Sequence, residues 1–284
     1  MARVGGRAKP RPRTQSGELT ETIWGRHPVE EVLRAGRRKV YRLLVVQDRP
    51  PPERVIGLAK EAGVKLEPVE WLPVATHEHQ GIAAQVDPYP YSDLDSALER
   101  ATRAGEAPLL LLLDQLQDPQ NLGTLLRTAE AVGVHGVVLP LNGAAGVTPA
   151  VVAASAGACE HLLIARANLA QAIRRLKQAD LWIVGLENSE QAKRIDEADL
   201  RPPLALVVGS EGRGLRRLVG ESCDYLVQIP MRGQVESLNA AVAGSVVLYE
   251  VWRRARYSGA SGGGLLHSDR PEPQPSRASK NVNN

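Results

Sequence analysis

The chain has 284 residues, enough for two modest domains or for one domain with substantial additions, and 43% hydrophobic with 24% charged residues is ordinary for a soluble globular protein, so composition excludes neither an enzyme nor a binding module. Two cysteines, Cys159 and Cys223, lie far apart without CxxC spacing, which argues against a zinc site or a disulfide framework and fits a reducing compartment. The formal charge is only +3, and the longest apolar run, Leu109 to Leu113, is far too short to cross a bilayer.

In chain order, residues 1–19 form a basic arm. Arg3, Arg7, Lys9, Arg11 and Arg13 come with no acid before Glu18. Such an arm either lies on nucleic acid or is a solvated tail, and this stretch does not choose between them. No signal-peptide h-region follows it, so the expected location is cytoplasmic. Residues 20–90 alternate in short units: the helix HPVEEVLRAG ended by Gly36, the strand YRLLVV, the helix PERVIGLAKEAG ended by Gly63, and the strand GIAAQV. They predict a small α/β module. The stretch PYPYSDLDSALERATRAGEAP begins as a Pro-rich connection and becomes helical, and residues 91–105 within it are read as the linker.

Residues 106–257 then read as a parallel α/β domain. LLLLLD is a nearly continuous apolar strand, as expected when helices cover both sheet faces. NLGTLLRTAEAVG is a helix and GVVLP a strand. AVVAASAGACEH is one helix, LLIA a strand, LAQAIRRLKQA a helix, and LWIVGLE and LALVVG are strands. A Gly-rich turn, the short helix LRRLVGESC, the strand YLVQIP and a final helix complete the domain. Residues 258–284 are rich in Gly, Ser and Pro and are expected to be disordered.

Three segments carry candidate chemistry. In DPQNLGTLLRTAEAVG, Asp118 is placed to cap the helix, Pro119 to fill its first position and Gly133 to close it. Leu122, Leu125, Leu126, Ala129 and Val132 then share an apolar arc of roughly 120°. The arc leaves Asn121 and Arg127 unexplained. Arg127 is a fork suited to phosphate, with no acid four residues away on either side. In LVVGSEGRGL, Gly209, Gly212 and Gly214 permit close backbone approach. The order matches neither the dinucleotide GxGxxG nor a P-loop. Glu211 inside that turn should face a donor or a cation. In IPMRGQVESLNAAVAG, Pro230 and Gly233 precede a polar set, Glu236, Ser237 and Asn239, at a helix N-terminus, with Ser237 placed to cap. For each segment an ordinary solvated helix face, turn or cap is the competing explanation. His77 and His79 flank an acid without further ligands, and no metal is expected.

Taken together and in this order, the three segments resemble the motifs of the SpoU–TrmH family of RNA ribose 2′-O-methyltransferases. GRHPVEEVLRAG and HQGIAAQV resemble the small RNA-binding domain found in the branch that methylates a guanosine of 23S rRNA. The resemblance implies a parallel-sheet α/β-knot fold of the SPOUT type, with a deep trefoil knot that strand counting does not reveal. It implies S-adenosylmethionine as methyl donor, no metal, RNA as partner (23S rRNA or a large-subunit assembly intermediate) and a homodimer. Carried over by motif, Gly209, Ile229 and Leu238 would line the cofactor pocket, with Leu186 a weaker candidate. Asn121, Arg127, Glu211, Ser237 and Asn239 would form the catalytic and RNA-facing set. An rRNA adenosine methyltransferase of the thiopeptide-resistance type, a tRNA ribose methyltransferase and a non-catalytic ribosome-assembly factor are the alternatives.

Overall fold

A computed structural model of the chain describes residues 19–259 except 75, 77 and 236. The arm up to residue 18, the tail from residue 260, His77 and Glu236 therefore lie outside the described residues.

The N-terminal module comprises β1 (Glu21–Trp24), α1 (Arg26–Ala35), β2 (Val40–Val46), α2 (Glu53–Glu61), β3 (Lys65–Val69) and β4 (Ile82–Val86). Its sheet runs β1-β4-β2-β3, with β4 antiparallel to both neighbours and β2 parallel to β3. Helix α1 ends where Gly36 takes the left-handed conformation at φ 59°, as the sequence predicts. Strands β1 and β3 add to the two strands expected. The second, KLEPV, is an edge strand that carries Lys65, Glu67 and Pro68 and buries none of its residues fully, so it lacks the apolar alternation that marks a strand.

Next come α3 (Leu94–Ala104), β5 (Leu109–Leu113), α4 (Pro119–Ala131), β6 (Gly136–Pro140), α5 (Pro149–Ala154), β7 (Ile164–Ala167) and α6 (Leu169–Lys177). Then follow β8 (Trp182–Leu186), β9 (Lys193–Arg194), β10 (Leu204–Val208), α7 (Arg217–Glu221), β11 (Tyr225–Gln228) and α8 (Ala240–Arg254). All seven strands are parallel, in the order β7-β6-β5-β10-β8-β11-β9. The continuous apolar run of β5 divides by the strand's period of two. Leu109, Leu111 and Leu113 join the core beneath α4 and α8, while Leu110 and Leu112 join the opposite core with α3 and α6. The predicted apolar arc of α4 is buried, from Leu122 through Val132.

Helix α3 packs on the large sheet, its Ala97 lying where a Cβ on Gly136 would come within 2.3 Å, so the stretch 91–105 holds an integral helix of the sheet's outer layer. AVVAASAGACEH is not one helix. It stops at Ala154, turns through Ala156 (φ 52°) and Gly157 (φ 85°) and resumes as a single 3-10 turn over Ala158–His161. The break has a packing cause, because a Cβ on Gly157 would lie 2.7 Å from Glu31 and 3.0 Å from Pro28 of α1.

The two modules share a core: Ile23, Val29 and Val32 belong to the same buried cluster as Leu111 and Val152. A polar seam lies beside it. Arg38 is buried and donates from Nε to Glu160 Oε2 at 3.1 Å and from Nη1 to the Asp87 carbonyl at 3.0 Å. The Tyr89 hydroxyl, 2.9 Å from the Cys159 carbonyl and 2.8 Å from that of Leu162, closes the seam.

Candidate active site

The carboxyl ends of β8, β10 and β11 meet the N-terminus of α8, the position where open α/β sheets bind ligands. A cleft of about 760 Å³ lies there. It is lined by Leu186, Gly209, Glu211, Ile229, Ser237, Leu238 and Asn239, together with Glu187, Arg213 and Met231. A second cleft of about 370 Å³ adjoins it across Ser210, Glu211 and Arg213, and its other wall is Gln115, Gln117, Asp118 and Asn121. Both volumes fall in the range of small-molecule sites.

The Gly-rich turn forms the partition. Ser210 and Gly214 exchange backbone hydrogen bonds, each 3.1 Å, and close a tight loop after β10. A Cβ on Gly209 would sit 2.3 Å from the carbonyl of Gly214, so glycine is required there by the approach of the loop's own backbone. Gly212 (φ 74°) and Gly214 (φ 62°) supply the left-handed turn residues. Behind the loop, the fully buried carboxylate of Asp114 accepts from Arg216 Nε at 2.7 Å and from the Arg216 amide at 2.8 Å. This pins the loop's exit to the end of β5.

Helix α8 is capped by Asn239, not by Ser237. Asn239 takes the extended backbone of a cap (φ −51°, ψ 139°), and its Oδ1 accepts from the amides of Ala241 at 3.0 Å and Val242 at 3.1 Å. Ser237 lies two residues too early to reach those amides and is exposed at the cleft. The cap also fixes the amide's orientation, because an oxygen facing two N–H groups leaves Nδ2 facing outward. Nδ2 donates to Asn121 Oδ1 at 2.9 Å and to Glu211 Oε1. One side chain from each segment thus enters a single hydrogen-bonded set, and the donor that Glu211 lacked is the Asn239 amide.

Arg127 stands apart. It is exposed, lines neither cleft, and its guanidinium has no partner among the described residues. Six residues along α4 place it about 9 Å beyond Asn121 along the axis and on a different face. The sequence reading passed over Asp114, Gln115 and Arg213. Arg213 stood inside a quoted motif, and only the position of the partition shows that it borders both clefts. Among the described residues no three His, Cys, Asp or Glu side chains gather as metal ligands. Burial pushes the thiols of Cys159 and Cys223 up to about 12, so neither is an activated nucleophile.

Comparison with known proteins gives two domain matches: residues 108–249 match the SpoU rRNA Methylase family, and residues 22–92 match the RNA 2′-O ribose methyltransferase substrate-binding domain. YacO of Bacillus subtilis (strain 168), named for the TrmH family of tRNA/rRNA methyltransferases, is 42% identical over 241 residues, covering 82% of this chain and 95% of YacO. The crystal structure of the SpoU methyltransferase AviRb from Streptomyces viridochromogenes, in complex with the cofactor AdoMet, superposes with a TM-score of 0.70 at 26% identity. That match covers 84% of this chain and 91% of AviRb. An RNA 2′-O ribose methyltransferase structure matches with a TM-score of 0.67 at 28% identity, covering 84% of this chain and 89% of the other.

Proposed function

This chain belongs to the SpoU rRNA methylase family and is an S-adenosylmethionine-dependent RNA 2′-O-ribose methyltransferase, and on that premise we propose that its target is a guanosine of 23S rRNA. The observation that carries the site assignment is the hydrogen-bonded set of Asn121, Glu211 and Asn239 at the junction of the two clefts. The matched methylase family is named for rRNA, while the relatives' name spans tRNA and rRNA. The experiment is methyl transfer from labelled S-adenosylmethionine to deproteinised rRNA, with the modified ribose mapped. A label on tRNA alone, or on an adenosine, would overturn the guanosine assignment.

The larger cleft fits the methyl donor. Leu186, Ile229 and Leu238 offer an apolar wall for a nucleoside, and Glu187 and Glu211 are acids suited to a cationic ligand. Gly209 keeps the turn narrow enough to leave that space. When bound, the donor supplies a methyl group already activated by a sulfonium centre. What the protein adds is position and charge. Glu211, with Oε1 tied to Asn239, keeps its other carboxylate oxygen for the 2′-hydroxyl, and Ser237 faces the RNA. A guanidinium stays protonated and does not serve as the base. Arg127 instead grips a phosphate and stabilises negative charge developing on the 2′-oxygen.

The distance of Arg127 from its own clefts supports a homodimer in which it serves the partner's site. Val242, Val246 and Tyr249 of α8 form an exposed apolar stripe at i, i+4 and i+7, the kind of face that a second copy covers. In this reading the catalytic domain carries the family's trefoil knot and the enzyme works in the cytoplasm. Its substrate is rRNA, free or in a large-subunit assembly intermediate.

A further inference from the structure

The smaller cleft has no assigned ligand, and its charges are unequally engaged. Asp118 Oδ1 accepts the amide of Gln120 at 3.0 Å, capping α4, and Glu211 accepts from Asn239. Arg213, the third charged group on its walls, has a guanidinium with no partner among the described residues. The two arginines that follow it are both satisfied. Arg216 pairs with buried Asp114 at 2.7 Å, and Arg217 pairs with Glu221 at 2.9 Å. The chain therefore commits two of three neighbouring arginines to internal ion pairs and leaves one free where the clefts meet.

The wall opposite is also unusual. Gln115 holds a left-handed backbone at φ 63°, which a non-glycine residue adopts only where surrounding structure imposes it. Beside it, Asp118 and Asn121 bring the first turn of the 13-residue helix α4, where Pro119 has no N–H and Asp118 takes that of Gln120, so the Asn121 N–H is the one left to favour an anion. An unpaired guanidinium facing a helix N-terminus is a complement for phosphate.

We propose that this second cleft holds the acceptor nucleotide and that Arg213 binds the phosphate of its backbone, placing the ribose beside Glu211. The inference rests on the RNA 2′-O-methyltransferase reading. It makes Arg213 a substrate-binding residue of its own subunit, distinct from Arg127. Because Arg213 also borders the larger cleft, the competing source of an anionic ligand is the carboxylate of S-adenosylmethionine.

The test compares wild type with Arg213→Ala and Arg213→Lys, with Arg217→Ala as a control for lost surface charge. Affinity for deproteinised 23S rRNA is measured by filter binding across a range of salt concentrations, and affinity for S-adenosylmethionine by calorimetry. Arg213→Ala should weaken rRNA binding about tenfold and reduce the slope of log affinity against log salt by about 0.7 to 0.9, the loss of one phosphate contact. Arg213→Lys should keep the slope, Arg217→Ala should match wild type, and cofactor affinity should stay within about twofold of wild type. An unchanged slope in Arg213→Ala would overturn the phosphate contact. A loss of cofactor affinity would reassign Arg213 to the donor's carboxylate. Failure of wild type to methylate any RNA would instead strike the underlying reading, since the binding measurements do not depend on turnover.

Discussion

Asn239 holds Asn121 at 2.9 Å across 118 residues of sequence with the same amide that caps α8, so the start of the last helix is tied to the wall of the smaller cleft. Cap and site are separable by substitution. Asn239→Asp keeps an oxygen for the Ala241 and Val242 amides but puts a carboxylate against Glu211. Unfolding temperature should hold, while single-turnover methyl transfer falls ten- to a hundredfold, about 1–3 kcal/mol for a lost and reversed hydrogen bond. Asn239→Ala should lose the same activity and about 1 kcal/mol of stability as well. An active Asn239→Asp enzyme would remove this residue from the site.

Arg127→Ala should bind S-adenosylmethionine nearly as wild type does and transfer no methyl group. If Arg127 serves the partner's cleft, mixing Arg127→Ala with Asn239→Asp subunits should restore measurable turnover, because one site of each mixed dimer regains both residues. Mixtures as inactive as their components would place Arg127 in its own subunit's chemistry.

Gly209→Ala should abolish cofactor binding in a calorimetric titration, since its Cβ would overlap the Gly214 carbonyl at 2.3 Å and force the turn open. Gly212→Ala meets no neighbour but must adopt φ 74°, and should bind with intermediate affinity. Equal affinities for both variants would show that the turn's shape does not govern the cleft.

The fold was legible where periodicity is strong. The LLLLL run and the apolar arc of α4 each admit one placement, and the structure buries both. Strand β3 was not legible, because an exposed edge needs no apolar alternation and its partner β2 supplies the pairing. The broken helix after Ala154 was hidden for a different reason: the break is required by α1, more than a hundred residues earlier. At the site, both Ser237 and Asn239 are good capping types, and only backbone geometry selects the second. Arg213 resembles any surface arginine until its neighbours' ion pairs are known.

His135 gives a pH dependence outside the site. Its Nδ1 accepts the Leu109 amide at 3.1 Å and its Nε2 lies 3.1 Å from Glu106 Oε2. Burial lowers its pKa from 6.5, with the Glu106 carboxylate opposing the shift. The unfolded chain therefore takes up this proton more readily than the folded one. The stability present above pH 6.5 is lost as pH falls through the folded-state pKa. His135→Gln should flatten the fall in unfolding free energy between about pH 7 and 5 in urea titrations. A slope identical to wild type would contradict the assignment.

The buried Arg38–Glu160 pair has a consequence for substrate choice. Breaking it by Arg38→Ala would strand a carboxylate in the interior at a cost of about 3–5 kcal/mol, and it joins modules that already share one apolar core. Such a seam is a weld, not a hinge. If RNA lies across both modules, it meets them at one set span, and the N-terminal module then acts as a ruler for the ribose that is presented to the site.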